Sequence, residues 1–372
     1  MIDRNFQSEF GSSPDYKVFA PSRINLIGEH TDYCGGECMP FATSNGTDFF
    51  FSSNDSGTLE VYTERFKERH AFALKLSKTR RRSLDWKDYV YGVLFAISDE
   101  HKVKGGQIFV RQSIGSAGLA SSASFCVGLA KTLCPELSPL DLAKRSWQAE
   151  RSYVGVKCGI MDQISISLGG GLNLKAKDLS FSKVSLDDSD CQLVILDTLV
   201  PRELLSSSYN NRYEEMLEVA EAIGLTSVDL LAGVDRVPQN LRPKLKARLR
   251  HVLSECERVK RAAKAIEMRE WRVLGFLMNQ SHASLRDDYE VSCPELDTIV
   301  SLAQAQKGVL GARLTGGGFG GCAIALCQKN SAQSWQKVVE EAYNEIFGYY
   351  PNIFEANFSQ GVKLTRLSSE SK

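Results

Sequence analysis

The stretch from Ala20 to Tyr33 places the strongest demand on how this chain folds. Within fourteen residues it carries Arg23, Asn25, Glu29, His30, Asp32 and Tyr33, with Leu26, Ile27 and Gly28 in their midst. Leu26 and Ile27 can anchor the segment in a core, and Gly28 lets the backbone bend sharply behind them. The fold must then bury the anchor while one short turn presents the polar side chains. A polar turn after a strand accounts for such a cluster without any function. The alternative is a binding wall, because Glu29, His30 and Asp32 supply the donors and acceptors that hydroxyls of one small polyhydroxylated ring require.

The length of 372 residues, 43% of them hydrophobic, suggests about two domains. The first half mixes strand signals (residues 16–19, 48–52, 59–62 and 106–111) with a helical pattern from Trp86 to Ser98. Gly169 to Gly171 leads into a polar hairpin region, and Gln192 to Asp197 reads as a buried strand. The second half is richer in helices, with apolar faces over residues 211–223, 243–266, 270–281, 294–306 and 331–346. A mixed α+β architecture follows, divided near residue 175 into 1–175 and 176–372.

Lys plus Arg number 45 and so do Asp plus Glu, so no net field favours nucleic acid. The basic run Lys78 to Arg82 is isolated and reads as a solvated loop. No signal-peptide core opens the chain and no run of eighteen apolar residues follows, so a cytoplasmic protein without membrane partners is expected. Ten scattered cysteines fit reduced thiols; Cys34 and Cys38 are close, but no second pair completes a zinc site.

Two further stretches carry chemistry. Ser113 to Ser124 is a Gly/Ser/Ala-rich loop running into a helical pattern. A helix N-terminus behind such a loop directs unpaired amides at whatever sits above it, and phosphate suits that place, although a tight turn with a serine cap has the same composition. Neither a Walker A loop nor a dinucleotide fingerprint is present. In Cys158 to Ser165, Asp162 stands among Gly159, Ile160, Met161 and Ile164. A carboxylate in an apolar stretch needs a cationic partner or a reactive role, and Arg23 is the cation available. Glu150 lies late on a helical pattern from Leu140 to Tyr153, where a lone carboxylate is ordinarily a surface residue.

Taken together, Ala20 to Tyr33, the serine loop and the glycine-rich Leu314 to Cys322 resemble the three signatures of the GHMP kinase superfamily, and within it the galactokinases. Trp86 to Val93, Cys158 to Ser165 and Leu285 to Asp297 are also similar to galactokinase segments. The resemblance implies a two-domain GHMP kinase fold with its active site in the cleft between domains, and ATP-dependent phosphorylation of the anomeric hydroxyl of D-galactose. It implies Asp162 and Arg23 as the catalytic pair. Glu29, His30, Asp32, Gly159 and Tyr209 match the sugar-binding positions. Gly115, Ser116, Ala117, Gly118, Leu119, Ala120, Ser121 and Ser122 match the triphosphate loop, with Trp86 near the adenine. Ser122 and Glu150 match the Mg2+ positions. The partners implied are the sugar and ATP, for a chain acting as a monomer. Phosphoryl transfer asks more for positioning and charge neutralisation than for a strong base, so Asp162 beside Arg23 can act mainly by orienting the hydroxyl.

The sequence departs from the family pattern in places. Ser22 stands for a glycine, Ala120 for a serine, the loop lacks its opening proline, and Cys34 and Glu37-Cys38-Met39 are unusual beside the sugar. Kinases for galacturonate, arabinose or N-acetylgalactosamine are therefore alternatives. A uronate would need a cation that the Glu29 to Tyr33 turn does not offer. A non-catalytic galactose and ATP sensor is another, disfavoured because Asp162, Arg23, Glu150 and Ser122 are all present.

Overall fold

The computed structural model describes residues 4–75, 82, 85–98, 101, 103–113, 119–186, 190–200 and 205–367. The first part of the chain forms helix α1 (Arg4–Phe10) and strands β1 (Tyr16–Asn25), β2 (Glu37–Cys38), β3 (Pro40–Asn54), β4 (Thr58–Thr63) and β5 (Glu68–Ala73). Helix α2 (Trp86–Ser98), strand β6 (Gly105–Gln112), helices α3 (Ser121–Leu133), α4 (Pro139–Gln148) and α5 (Met161–Leu168), and strands β7 (Gly171–Lys175) and β8 (Ser180–Val184) follow. Strand β9 (Cys191–Asp197) leads into helices α6 (Leu205–Ala222), α7 (Pro243–Glu267), α8 (Trp271–Asp287) and α9 (Pro294–Gln304). The chain continues through strands β10 (Val309–Thr315) and β11 (Cys322–Gln328), helix α10 (Ala332–Phe347), and strands β12 (Asn352–Glu355) and β13 (Lys363–Arg366).

One sheet runs β13-β1-β3-β6-β4-β5, and β7 links β2, β3 and β8 to it. Its pairings are antiparallel except β4 with β6. The second sheet runs β10-β11-β9-β12. Helix starts follow local chemistry: Pro139, Pro243 and Pro294 each occupy a first turn, where a missing N–H costs nothing, and Ser138 caps α4 by accepting the Asp141 amide. No described helix is long and apolar enough to cross a membrane.

The apolar anchor expected in the Ala20 to Tyr33 segment is present and reaches further than expected. Leu26 and Ile27 are fully buried in one cluster with Ile195, Ile324, Val259 and Leu277, so their core is shared with β9, β11, α7 and α8. Strand β1 runs to Asn25, well past the residues whose alternation signalled it, because its whole second half is buried. The pattern over Leu140 to Tyr153 is not one α-helix: α4 ends at Gln148 and residues Ala149–Val154 widen into a π-helical turn. The division near residue 175 does not cut the sheets cleanly. Strand β8 pairs with β7 across it, and β13, close to the end of the chain, pairs with β1. Of the basic run only Arg82 is described, and it donates to the carbonyl of Val154. All ten cysteines are free thiols, most of them buried.

Candidate active site

Strand β1 and the first turn of α5 bring the two catalytic candidates together. Arg23 Nε donates to Asp162 Oδ1 at 2.8 Å and Arg23 Nη2 to Oδ2 at 2.6 Å, a two-pronged pairing that fixes both side chains. Arg23 is buried, while the Asp162 side chain keeps 26% of its surface open, so the carboxylate is the member of the pair that faces the cleft.

Asp32 opens the turn after the anchor and sits beside this pair. Its Oδ2 accepts the amide of Met161 at 3.3 Å. Burial, and then the nearby Asp162 charge, raise its pKa to about 6. Gly159 has a direct reason to be glycine, since a Cβ there would lie 1.9 Å from Asp32 Oδ2. Tyr209 on α6 closes the other side, its ring 5.3 Å from that of His30 and close above Gly317.

Glu29 and His30 occupy the same turn but face inward, with their polar atoms bonded inside the protein. Glu29 Oε1 accepts the amide of Gly316 at 2.8 Å, and Oε2 accepts Asn25 Nδ2 at 2.8 Å and pairs with Arg313. Burial pushes its pKa up to about 7 while Arg313 pulls the other way. His30 Nε2 lies 3.2 Å from the carbonyl of Gly317, which can only accept, so Nε2 carries the proton and Nδ1 accepts from the Tyr33 hydroxyl at 2.9 Å. Tyr33 accepts in turn from Tyr289 at 2.7 Å. Burial holds the imidazole neutral, its pKa lowered to about 3. The turn is thereby tied to the glycine-rich loop after β10.

Ser122 and Glu150 come together where α3 begins. Glu150 sits in the π-helical turn, a rare form that concentrates at functional sites. Its Oε2 accepts Gln163 Nε2 at 2.5 Å, and it is also hydrogen-bonded to Ser122. Burial raises its pKa to about 7. Gln163 Oε1 is buried with no hydrogen-bond partner. Hydroxyl, carboxylate and amide oxygens without sulfur or imidazole suit a hard divalent cation, which would also hold Glu150 ionised. Residues 114–118 lie outside the described residues, so Gly115, Ser116, Ala117 and Gly118 are not placed; Leu119 and Ala120 are buried, and Ala120 takes a left-handed φ of 60° before Ser121 starts the helix.

A cavity of about 200 Å³ opens beside this helix start, bordered by Ser121, Ser122, Phe125, Tyr89 and Trp86. Trp86 is held by its Nε1 donating to Glu68 Oε2 at 2.8 Å, and the ring of Phe66 lies nearly parallel to it at 6.5 Å. A roomier cavity of about 540 Å³, between β7 and β12, includes none of the predicted site residues. The described candidate residues gather instead between β1, α5 and α6 and at the start of α3.

Comparison with known proteins gives matches along most of the chain. Residues 4–53 match the galactokinase galactose-binding signature, residues 88–170 the N-terminal domain of GHMP kinases and residues 262–345 their C-terminal domain. A galactokinase of Streptococcus thermophilus is 36% identical over 382 residues, covering 98% of each chain. The chain belongs to the galactokinase family. As a member of that family it is a sugar kinase with the GHMP kinase fold. The crystal structure of Lactococcus lactis galactokinase complexed with galactose superposes with a TM-score of 0.90 at 33% identity, over 98% of each chain. A Methanococcus jannaschii mevalonate kinase shares the fold, with a TM-score of 0.68 at 20% identity over 92% of this chain and 98% of its own.

Several residues that meet the candidate site residues were not given that role by the sequence. Gln163 lies inside Cys158 to Ser165, so position was the available signal; Asn25 and Tyr33 already stood among the polar residues of the opening segment, without the bonds to Glu29 and His30 that the structure gives them. Thr315 and Tyr289 lie inside Leu314 to Cys322 and Leu285 to Asp297, so for them too position was the signal, while Arg313 and Phe66 act through contacts elsewhere in the chain for which the sequence holds no local signal.

Proposed function

We propose that the chain transfers the γ-phosphoryl group of ATP to the anomeric hydroxyl of D-galactose, in the cytoplasm and as a monomer. The observation that carries the reading is the Arg23–Asp162 pair opening onto the same cleft as Asp32 and Tyr209, with Ser122 and Glu150 at the adjacent helix start. Asp32 accepts ring hydroxyls and the Tyr209 ring lies against a sugar face, while Gly159 leaves room for the Asp32 carboxylate. Glu29 and His30 support the wall from behind, holding the turn to the glycine loop. Asp162 orients the anomeric hydroxyl and collects its proton, and Arg23 keeps the carboxylate in place and offsets charge on the transferring group. Ser122 and Glu150 would hold Mg2+, which when bound neutralises phosphate charge. Trp86, faced by Phe66, borders the space for the adenine, and the α3 N-terminus directs its amides at the phosphates.

A galacturonate kinase is the weaker reading, because Asp32 and Asp162 already put two carboxylates at the sugar and Arg313 is committed to Glu29. ADP release, coupled to a second enzyme and measured over hexoses, pentoses and uronic acids with Mg2+ and ATP, tests the proposal. Galactose is expected to give the highest kcat/KM. Binding of galactose without turnover of any sugar would replace the kinase reading with that of a sensor.

A further inference from the structure

Helix α7 carries a fully buried carboxylate that none of the steps above employs. Glu255 Oε1 accepts the amide of Gly28 at 2.9 Å and the hydroxyl of Ser281, on α8, at 2.5 Å, and Glu255 Oε2 accepts Arg258 Nε at 2.6 Å. The charge is secure: Arg258 leads the groups that counter burial, with His251 and Arg313 behind it, and the pKa is lowered to about 2. One helical turn earlier, His251 Nε2 lies 3.1 Å from the carbonyl of Glu29 and donates to it. Helix α7 thus grips the Gly28 N–H and the Glu29 carbonyl, on either side of the bend.

That bend needs an external hold. Gly28 has φ of 99°, and a Cβ on it would lie 2.6 Å from the Cα of Cys38, so the backbone is folded tightly onto β2. Three residues beyond Glu29 the same turn delivers Asp32 to the cleft. The Glu255 carboxylate touches neither that side chain nor the space in front of it.

We propose that Glu255 is a positioning residue for the sugar. Through the Gly28 amide it sets the turn that carries Asp32, and it makes galactose affinity depend on where α7 sits. The inference rests on the reading that this turn binds the sugar.

Steady-state kinetics with galactose and ATP varied in turn, on Glu255→Ala and Glu255→Gln, test it. A hydrogen bond to a charged acceptor corresponds to roughly a tenfold effect or more. In E255A the galactose KM is expected to rise by about that factor, with the ATP KM held within about twofold, because the α3 start and the cavity at Trp86 are not touched by Glu255. E255Q keeps an acceptor of the same shape at Oε1 and is expected to recover part of the affinity. Equal movement of both KM values, or a galactose KM equal to wild type in E255A, overturns the proposal. Should E255A fail to fold, calorimetric galactose binding to E255Q decides, weaker binding supporting the proposal and unchanged binding refuting it. Failure of the wild-type protein to phosphorylate galactose would instead remove the underlying reading.

Discussion

At the scale of single residues, two carboxylates in one cleft divide their tasks by surroundings. Asp162 is clamped by Arg23 and open to the cleft, so Asp162→Ala is expected to cut kcat by about 10²–10⁴-fold. ATP binding, measured by fluorescence or calorimetry, should stay close to wild type because Asp162 is absent from the borders of the cavity beside Trp86. Asp32 titrates near the working range. Its pKa of about 6 means that it is ionised at pH 7 and protonated well below pH 6, where it accepts sugar hydroxyls poorly. Galactose KM should therefore rise as pH falls through about 6, and in Asp32→Asn that dependence should disappear along with much of the affinity. Stability has the opposite sign. The folded protein binds the Asp32 proton more tightly than the unfolded chain does, so ionising Asp32 costs stability above pH 6 and lowering the pH relieves that cost.

At the scale of elements, α5 does two things at once: its first turn carries Asp162, and the residues just before it form the floor under Asp32. Gly159→Ala would put a methyl group 1.9 Å from the present position of Asp32 Oδ2, so the Asp32 carboxylate would have to swing away from its place. A galactose KM roughly tenfold higher is expected, together with a stability loss of about 1–3 kcal/mol measured by denaturant unfolding. An unchanged KM would mean that Asp32 does not set the affinity. The sequence made this neighbourhood visible because Asp162 stood in an apolar stretch that called for a cation. The helical period also located the long helices, since buried faces leave a regular mark. What it hid were features with no local period: the widening at Ala149–Val154, which lies in a helical pattern like any other, and the inward direction of Glu29 and His30. Glu29 looks like a ligand by type, and only Arg313, Asn25 and Gly316, distant or folded back on it, reveal that its oxygens are already bonded.

At the scale of the whole molecule, the chain ends by completing the sheet with which it began. Strand β13 pairs with the first four residues of β1, Tyr16 opposite Arg366 and Phe19 opposite Lys363, and the same β1 continues to Arg23 and the turn that carries Asp32. Leu364 and Leu367 pack half-buried against the cores on either side of that sheet. Ending the chain at Val362 would strip β1 of its outer partner, exposing an edge next to the fully buried Val18 and removing both leucines. Loss of two partly buried leucines and a short ladder corresponds to about 2–4 kcal/mol. Thermal unfolding of this truncation is expected to shift down by several degrees. Galactose KM of the folded fraction should hardly change, because none of the described residues removed, 363–367, borders the cavity beside Trp86 or bonds Arg23, Asp32 or Asp162. Saturating galactose provides a check on the same ledger: at a hundred times Kd it adds about 2.7 kcal/mol to the folded state and should offset most of the loss. A truncated protein with an unaltered melting curve would show instead that β1 holds its place through β3 alone.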